Sequence, residues 1–251
     1  MTKQPLLVIA HRGAKGEAPE NTLVAFLLGL EQGCDAIELD IHLSKDGEIV
    51  VIHDDTMNRT TDISGKVNEL TLAELKQADA GRWFHEKYAG ERVPLLEEVF
   101  DLVPTNVMIN VEIKSSYGRK LEPALVELMR RKNRIQNVVV SSFDHKCLLF
   151  LKLLEPEIKI GLLYDFTPGQ HNQLAAGLGT PVYSLHPKHT RIVAEDVREA
   201  VAHGLRVFVY TVNDEENMAK LIDYGVSGII TDYPGKLRTL LSYTASAGAG
   251  R

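Results

Sequence analysis

The sequence predicts an α/β fold, a TIM (β/α)8 barrel with a small insertion after strand two. Three observations carry that expectation. Strand-like and helix-like segments alternate along most of the chain, which signals βα units around a parallel sheet. The strand-like runs number eight, and the length of 251 residues suits one closed barrel. Eight such units close a barrel more readily than they build an open sheet, so a doubly wound sheet ranks second.

The first strand is the apolar run 6–10, which leads directly into His11-Arg12-Gly13. Residues 21–32 follow with helical character and stop at Gly33, a helix-ending glycine. The second strand, 36–43, alternates aliphatic and polar residues. The third is expected at 107–114, the fourth at 137–141, the fifth at 159–164 and the sixth at 182–185. A helix at 191–203 ends at Gly204, and the seventh strand covers 206–211. Residues 214–224 open with acids, which suit a helix N-terminus, and end at Gly225; the eighth strand is 228–231.

One interval is too long for a single helix. Between the second and third strands, residues 48–53 form another strand-like run, reached through the turn Lys45-Asp46-Gly47. Thr71-Leu72-Ala73-Glu74 is a capping-box pattern, Trp83-Phe84 an aromatic cluster, and 95–102 the helix that completes the unit. We therefore expect a single domain, 1–251, with an insertion at approximately 44–94 on the barrel's C-terminal face. Loops of that length in a compact fold are usually functional. The Gly/Ala-rich tail 242–251 is expected to fray.

Composition narrows the function classes. With 44% hydrophobic and 25% charged residues the chain is ordinary for a globular protein. A net charge of −6 argues against nucleic acid or an anionic membrane as the main partner. Cys34 and Cys147 lack disulfide or metal-ligand spacing and read as buried free thiols. The leading apolar run is too short for a signal segment, and no stretch reaches transmembrane length. These features predict a cytoplasmic protein without stable membrane insertion.

The second strand puts Glu38, Asp40 and His42 on one face and Ile37, Leu39 and Ile41 on the other. The third does the same with Asn110, Glu112 and Lys114 against Val111 and Ile113. Three acids crowded together push one another toward protonation, and a hard divalent cation, Mg²⁺ or Ca²⁺, removes that cost. On spacing alone, buried salt bridges to Lys or Arg explain them equally well. His11-Arg12-Gly13 after strand one and His53-Asp54 in the insertion shift the balance. Two histidines, a guanidinium, an ammonium and a cation site are what phosphodiester cleavage requires. Pro19-Glu20-Asn21-Thr22 opens a helix whose free N–H groups can hold an anion.

The ordered motifs resemble those of the glycerophosphodiester phosphodiesterases. They are AHRG (10–13), PENT (19–22), IELDIHLSKDGEIVVIHD (37–54), RTT (59–61), AGRWF (80–84) and VPLLEEV (93–99), followed by NVEIK (110–114), SSF (141–143), TVN (211–213) and GIITDYP (228–234). The resemblance spans roughly residues 6–237. It implies metal-dependent hydrolysis of a glycerophosphodiester to glycerol 3-phosphate and an alcohol. It further implies one divalent cation on Glu38, Asp40 and Glu112, and His11 and His53 as the acid–base pair. Arg12 and Lys114 would contact phosphate, and Glu20 would orient Arg12 or a histidine. The attacker would be water or the substrate's own glycerol hydroxyl.

Two positions depart from the family pattern. Tyr210 stands where many relatives carry Trp, and Gly235 where many carry Asp. Tyr210 keeps an aromatic wall for the substrate while adding a hydroxyl. Ser142, at the end of strand four, and His186, after strand six, are further candidates for the substrate pocket. Asp232 is expected to fix a loop or an arginine. Trp83 and Phe84 either wall the alcohol site or anchor the insertion. The rivals are a lysophospholipid-directed phosphodiesterase, a catalytically silent phosphodiester-binding protein, and a barrel isomerase or aldolase.

Overall fold

The computed structural model describes residues 5–248. Eight parallel strands close into a barrel with helices outside. They are β1 (Leu7–His11), β2 (Ala36–Leu43), β4 (Met108–Ile113), β5 (Val138–Ser142), β6 (Lys159–Tyr164), β7 (Ser184–Pro187), β8 (Arg206–Val209) and β9 (Gly228–Thr231). β1 pairs with both β2 and β9, which closes the ring. The short β3 (Ile49–Val51) lies outside it, antiparallel to β2, with Ile41 opposite Val51 and Leu43 opposite Ile49.

The outer layer comprises α1 (Leu23–Glu31), α3 (Leu96–Leu102), α4 (Leu121–Arg131), α5 (His145–Leu154), α6 (His171–Ala176), α7 (Ala194–Ala202), α8 (Glu215–Tyr224) and α9 (Pro234–Gly248); α2 (Leu72–Leu75) belongs to the insertion. Caps set several of these starts. Thr22 accepts from the Ala25 N–H at α1, Thr71 and Glu74 form the reciprocal box at α2, and Asp214 accepts from Asn217 N–H at α8. Gly225 ends α8 in the left-handed region, φ +81°, where a Cβ would be strained. The tail departs from expectation: α9 runs on to Gly248, since no glycine or proline interrupts 242–247, and 249–251 lie outside the described residues.

Alternation along the strands sorts the core. Ile37, Leu39 and Ile41 of β2, Ile109, Val111 and Ile113 of β4, and Val138 and Val140 of β5 pack outward against the helices. Ile9, Ala36, Phe208 and Ile230 fill the barrel interior. The insertion has its own small core of Met57, Val67, Leu75, Ala78 and Val93. β3 joins the two, with Ile49 and Val51 in the helix-side core and Val50 in the insertion's. Among the described residues, no helix is long and apolar enough to cross a membrane.

Candidate active site

The pleat that buries Ile37, Leu39 and Ile41 turns Glu38 and Asp40 into the barrel mouth. Strand register then sets the neighbours: His11 lies beside Glu38, and Asp40 beside Glu112. Glu38, Asp40 and Glu112 are buried, and each offers a carboxylate oxygen within 4.8 Å of the others. Burial, then the charges of Asp40 and Glu112, pushes the Glu38 carboxyl well above its usual range. Burial and the charge of Asp40 likewise raise Glu112, to about 7. For Asp40 burial is outweighed by the charges of Arg12 and Lys114, which hold it at about 2.

These residues fit a divalent cation. The donor set is all carboxylate oxygen, as Mg²⁺ and Ca²⁺ prefer. Oδ1 of Asp40 is buried without a hydrogen-bond partner among the described residues. Lys114 and Arg12 neutralise the trio only in part: Lys114 Nζ is 2.7 Å from Glu112 Oε1 and 3.5 Å from Asp40 Oδ1. Arg12 Nε is 3.2 Å from Asp40 Oδ2, an ion pair without hydrogen-bond alignment.

Each histidine has an aspartate behind it. His11 Nδ1 is 2.6 Å from Asp232 Oδ1, while its Nε2 lies 3.9 Å from Glu38 Oε2. Asp232 is clamped by Asn213, whose Nδ2 donates to Oδ2 at 2.8 Å and whose Oδ1 accepts the Asp232 N–H at 2.9 Å. His53 Nδ1 is 2.7 Å from Asp54 Oδ1, and its Nε2 is 3.2 Å from Lys114 Nζ. An ammonium only donates, so His53 Nε2 accepts and Nδ1–H donates to Asp54. Burial lowers both histidines from their ordinary pKa, against the pull of the neighbouring acids. His42 supports His53 from below: its ring bonds Tyr117 Oη through Nδ1 and meets the His53 carbonyl through Nε2 at 3.1 Å.

Arg12 adopts φ +53°, a left-handed conformation that costs energy for a non-glycine residue. That turn lets its backbone N–H donate to Glu38 Oε2 at 3.0 Å. Gly13 follows at φ +82°, and a Cβ there would meet the Ala25 carbonyl carbon at 2.5 Å. The Arg12 guanidinium donates to Glu20 Oε1 at 2.8 Å, and Arg59 donates to both Glu20 oxygens. Burial opposes ionisation of Glu20, but these arginines hold it at about 2.

The mouth is a cavity of about 260 Å³ with two unlike walls. His11, Arg12, Glu38, His53, Glu112 and Lys114 make the polar wall; Phe143, Leu163, Tyr210 and Ile230 make the apolar one. Tyr210 donates its hydroxyl to the Tyr164 carbonyl at 3.0 Å, so the ring edge is fixed. Trp83 bonds the Ala80 carbonyl and stacks edge-on with Phe84, and Tyr88 reaches the Glu17 carbonyl; this cluster ties the insertion to the barrel.

Two predicted pocket residues lie elsewhere. Ser142 falls on the helix-facing side of β5, where it donates to the Ile113 carbonyl at 2.8 Å and accepts the Asp144 N–H. Alternation gives the cavity to its neighbour Phe143 instead. His186 is fully buried inside the barrel, with Nε2 2.7 Å from Ser184 Oγ. Strand β7 runs to Pro187, two residues past the expected end, so His186 lies below the rim. Burial pushes it down to about 3. Asp232, expected to hold a loop or an arginine, holds a histidine.

Fold and site together define a barrel phosphodiesterase. Known proteins agree. The Glycerophosphoryl diester phosphodiesterase family model matches residues 11–236. A glycerophosphodiester phosphodiesterase of Caldanaerobacter subterraneus subsp. tengcongensis is 44% identical, over 94% of this chain and 97% of its own. A human lysophospholipase D is 29% identical, over 93% and 85%. The solved structure of an Oleispira antarctica phosphodiesterase in complex with the product sn-glycerol-3-phosphate matches with a TM-score of 0.86 at 34% identity, covering 95% of this chain and 97% of that one. The chain belongs to the glycerophosphoryl diester phosphodiesterase family, and its activity is that of a glycerophosphodiester phosphodiesterase.

Proposed function

We propose that the chain hydrolyses glycerophosphodiesters to glycerol 3-phosphate and an alcohol, with one divalent cation on Glu38, Asp40 and Glu112 and with His11 and His53 as acid and base. The observation that carries this reading is the pair of aspartate-backed histidines lining the same cavity as Glu38 and Glu112, two of the three clustered buried acids. When bound, the cation supplies charge that polarises the phosphoryl oxygens. Arg12 and Lys114 offset the charge that builds on those oxygens. One histidine takes the proton of the attacking oxygen, and the other gives a proton to the departing alkoxide. Glu20 holds Arg12 against the mouth. The glycerol product follows from the Oleispira antarctica relative, whose complex holds sn-glycerol-3-phosphate.

A lysophospholipid is the second reading. Its support is the apolar wall, at whose mouth Phe143 is half exposed, together with the human lysophospholipase D relative. The buried free cysteines suit a reducing compartment, and we place the activity in the cytoplasm. A panel of glycerophosphodiesters and lysolipids, scored by release of the alcohol and of the matching phosphomonoester (glycerol 3-phosphate from the former, lysophosphatidic acid from the latter), separates the substrates. Chelation should abolish turnover and Mg²⁺ or Ca²⁺ restore it, while His11→Ala and His53→Ala each lose about 10²–10⁴-fold in kcat. Indifference to chelator sinks the cation, and near-normal turnover of either variant sinks the acid–base pair.

A further inference from the structure

Arg59 lies in the insertion, outside the cavity lining, yet its guanidinium is bidentate to two carboxylates at once. Nε and Nη2 donate to Asp54 Oδ2 and Oδ1 at 2.8 and 2.9 Å, and Nη1 and Nη2 donate to Glu20 Oε2 and Oε1 at 2.9 and 2.8 Å. Four of its five N–H bonds are thereby used. One oxygen of each carboxylate also holds a site residue: Asp54 Oδ1 takes the His53 ring, and Glu20 Oε1 takes Arg12 Nη1 at 2.8 Å. Arg12, Glu20, Arg59, Asp54 and His53 thus form one unbroken chain of charge-assisted bonds.

We propose that Arg59 is a positioning residue that sets Arg12 and His53 together, so that the insertion is a working part of the site. The proposal rests on the roles given above to Arg12 and His53. The physical reason is the planar fork. A guanidinium fixes the plane of each carboxylate it grips, and each carboxylate then fixes the group beyond it. Asp54 Oδ1 and Glu20 Oε1 both accept from the same Nη2. Without Arg59 two negative carboxylates face each other across a gap open to water, and repulsion turns both away from the groups they hold. A lysine brings one charge but cannot grip two planes.

The test uses the full chain. The Arg59 side chain is 43% exposed, so Arg59→Ala opens a solvent-filled notch and not a core cavity. It should lower kcat about 10–100-fold, as loss of an orienting partner does. It should also weaken sn-glycerol 3-phosphate binding by calorimetry, since Arg12 loses its anchor. NMR should show the His53 Nδ1 proton losing the downfield shift of its hydrogen bond to Asp54, while Lys114 still holds the tautomer. Guanidinium at non-denaturing concentration should restore part of each loss in Arg59→Ala, and Arg59→Lys should remain impaired. Arg59→Ala with kcat, product affinity and the His53 Nδ1 proton shift all unchanged overturns the proposal, as does Arg59→Lys matching the parent. His53→Ala is the control. If it is inactive while Arg59→Ala is normal, only the positioning role falls; if it is active, the acid–base reading falls and this proposal with it.

Discussion

His11 and His53 share a cavity and an aspartate each, but the two aspartates are held by different chemistry. Asp54 is gripped by a guanidinium, whose hydrogen bonds hold its pKa far below the carboxylate range. Asp232 is gripped by the amide of Asn213, which adds no charge. The Asn213 amide has no freedom to flip, because its Oδ1 already accepts the Asp232 backbone N–H. Asp232→Asn therefore sets an NH₂ group against either the Asn213 NH₂ or the His11 Nδ1–H. We expect kcat to fall on the order of 10-fold to 10²-fold with little change in melting temperature. Steady-state kinetics beside a thermal melt checks it, and equal activity refutes an orienting role for Asp232. None of this pairing is legible in the sequence. His11 and Asp232 are 221 residues apart, and no local pattern encodes which side chain meets which across a closed barrel. The acid trio is legible, because period-two alternation puts Glu38 and Asp40 on one face whatever the fold around them. The same alternation applied to Ser141-Ser142-Phe143 selects Phe143 over Ser142 for the cavity.

At the scale of elements, the strands with clear turn signals emerge at their expected places: β2, β6 and β9 match to the residue. β7 is displaced by two, because Val182 and Tyr183 precede the strand while His186 and Pro187 continue it. That shift decides the fate of His186. The interior it occupies is paired with a glycine on β6: a Cβ on Gly161 would sit 2.4 Å from His186 Nε2, in a ring held by Ser184 and stacked 5.3 Å from Phe208. A fully buried ring with both neighbours fixed cannot step aside cheaply. Gly161→Ala should cost about 1–3 kcal/mol in denaturant unfolding, the usual penalty of overpacking. Adding His186→Ala should recover part of that loss, and strict additivity of the two changes would contradict the contact. The insertion was visible in the sequence as surplus length with a hairpin turn and a capping box. So was its reach into the site through His53; the link through Arg59 was not, since it acts by way of Glu20, 39 residues earlier.

For the whole molecule, the acid trio makes stability depend on pH in a direction that a cation should reverse. Without metal, Glu112 is raised from 4.5 to about 7, with Glu38 raised as well. Between those values the folded chain keeps a proton that the unfolded chain has released, so its stability falls as pH rises through that window. A divalent cation needs the acids ionised, so its affinity rises over the same interval. The gap in melting temperature with and without Mg²⁺ or Ca²⁺ should therefore widen from about pH 5 to about pH 8. Calorimetry at both ends measures it, and a gap that is flat or narrows counts against a cation on these three residues.

The ring closes where β1 meets β9, and it is there that His11 finds Asp232. A chain made from its N-terminus has Glu38, Asp40 and Glu112 on hand before half of it has been synthesised. The aspartate that orients the first strand's histidine emerges only with the eighth barrel strand, and the two cannot meet until that strand docks. The nascent polypeptide can thus assemble its three acids early, while His11 is aligned among the last events of folding.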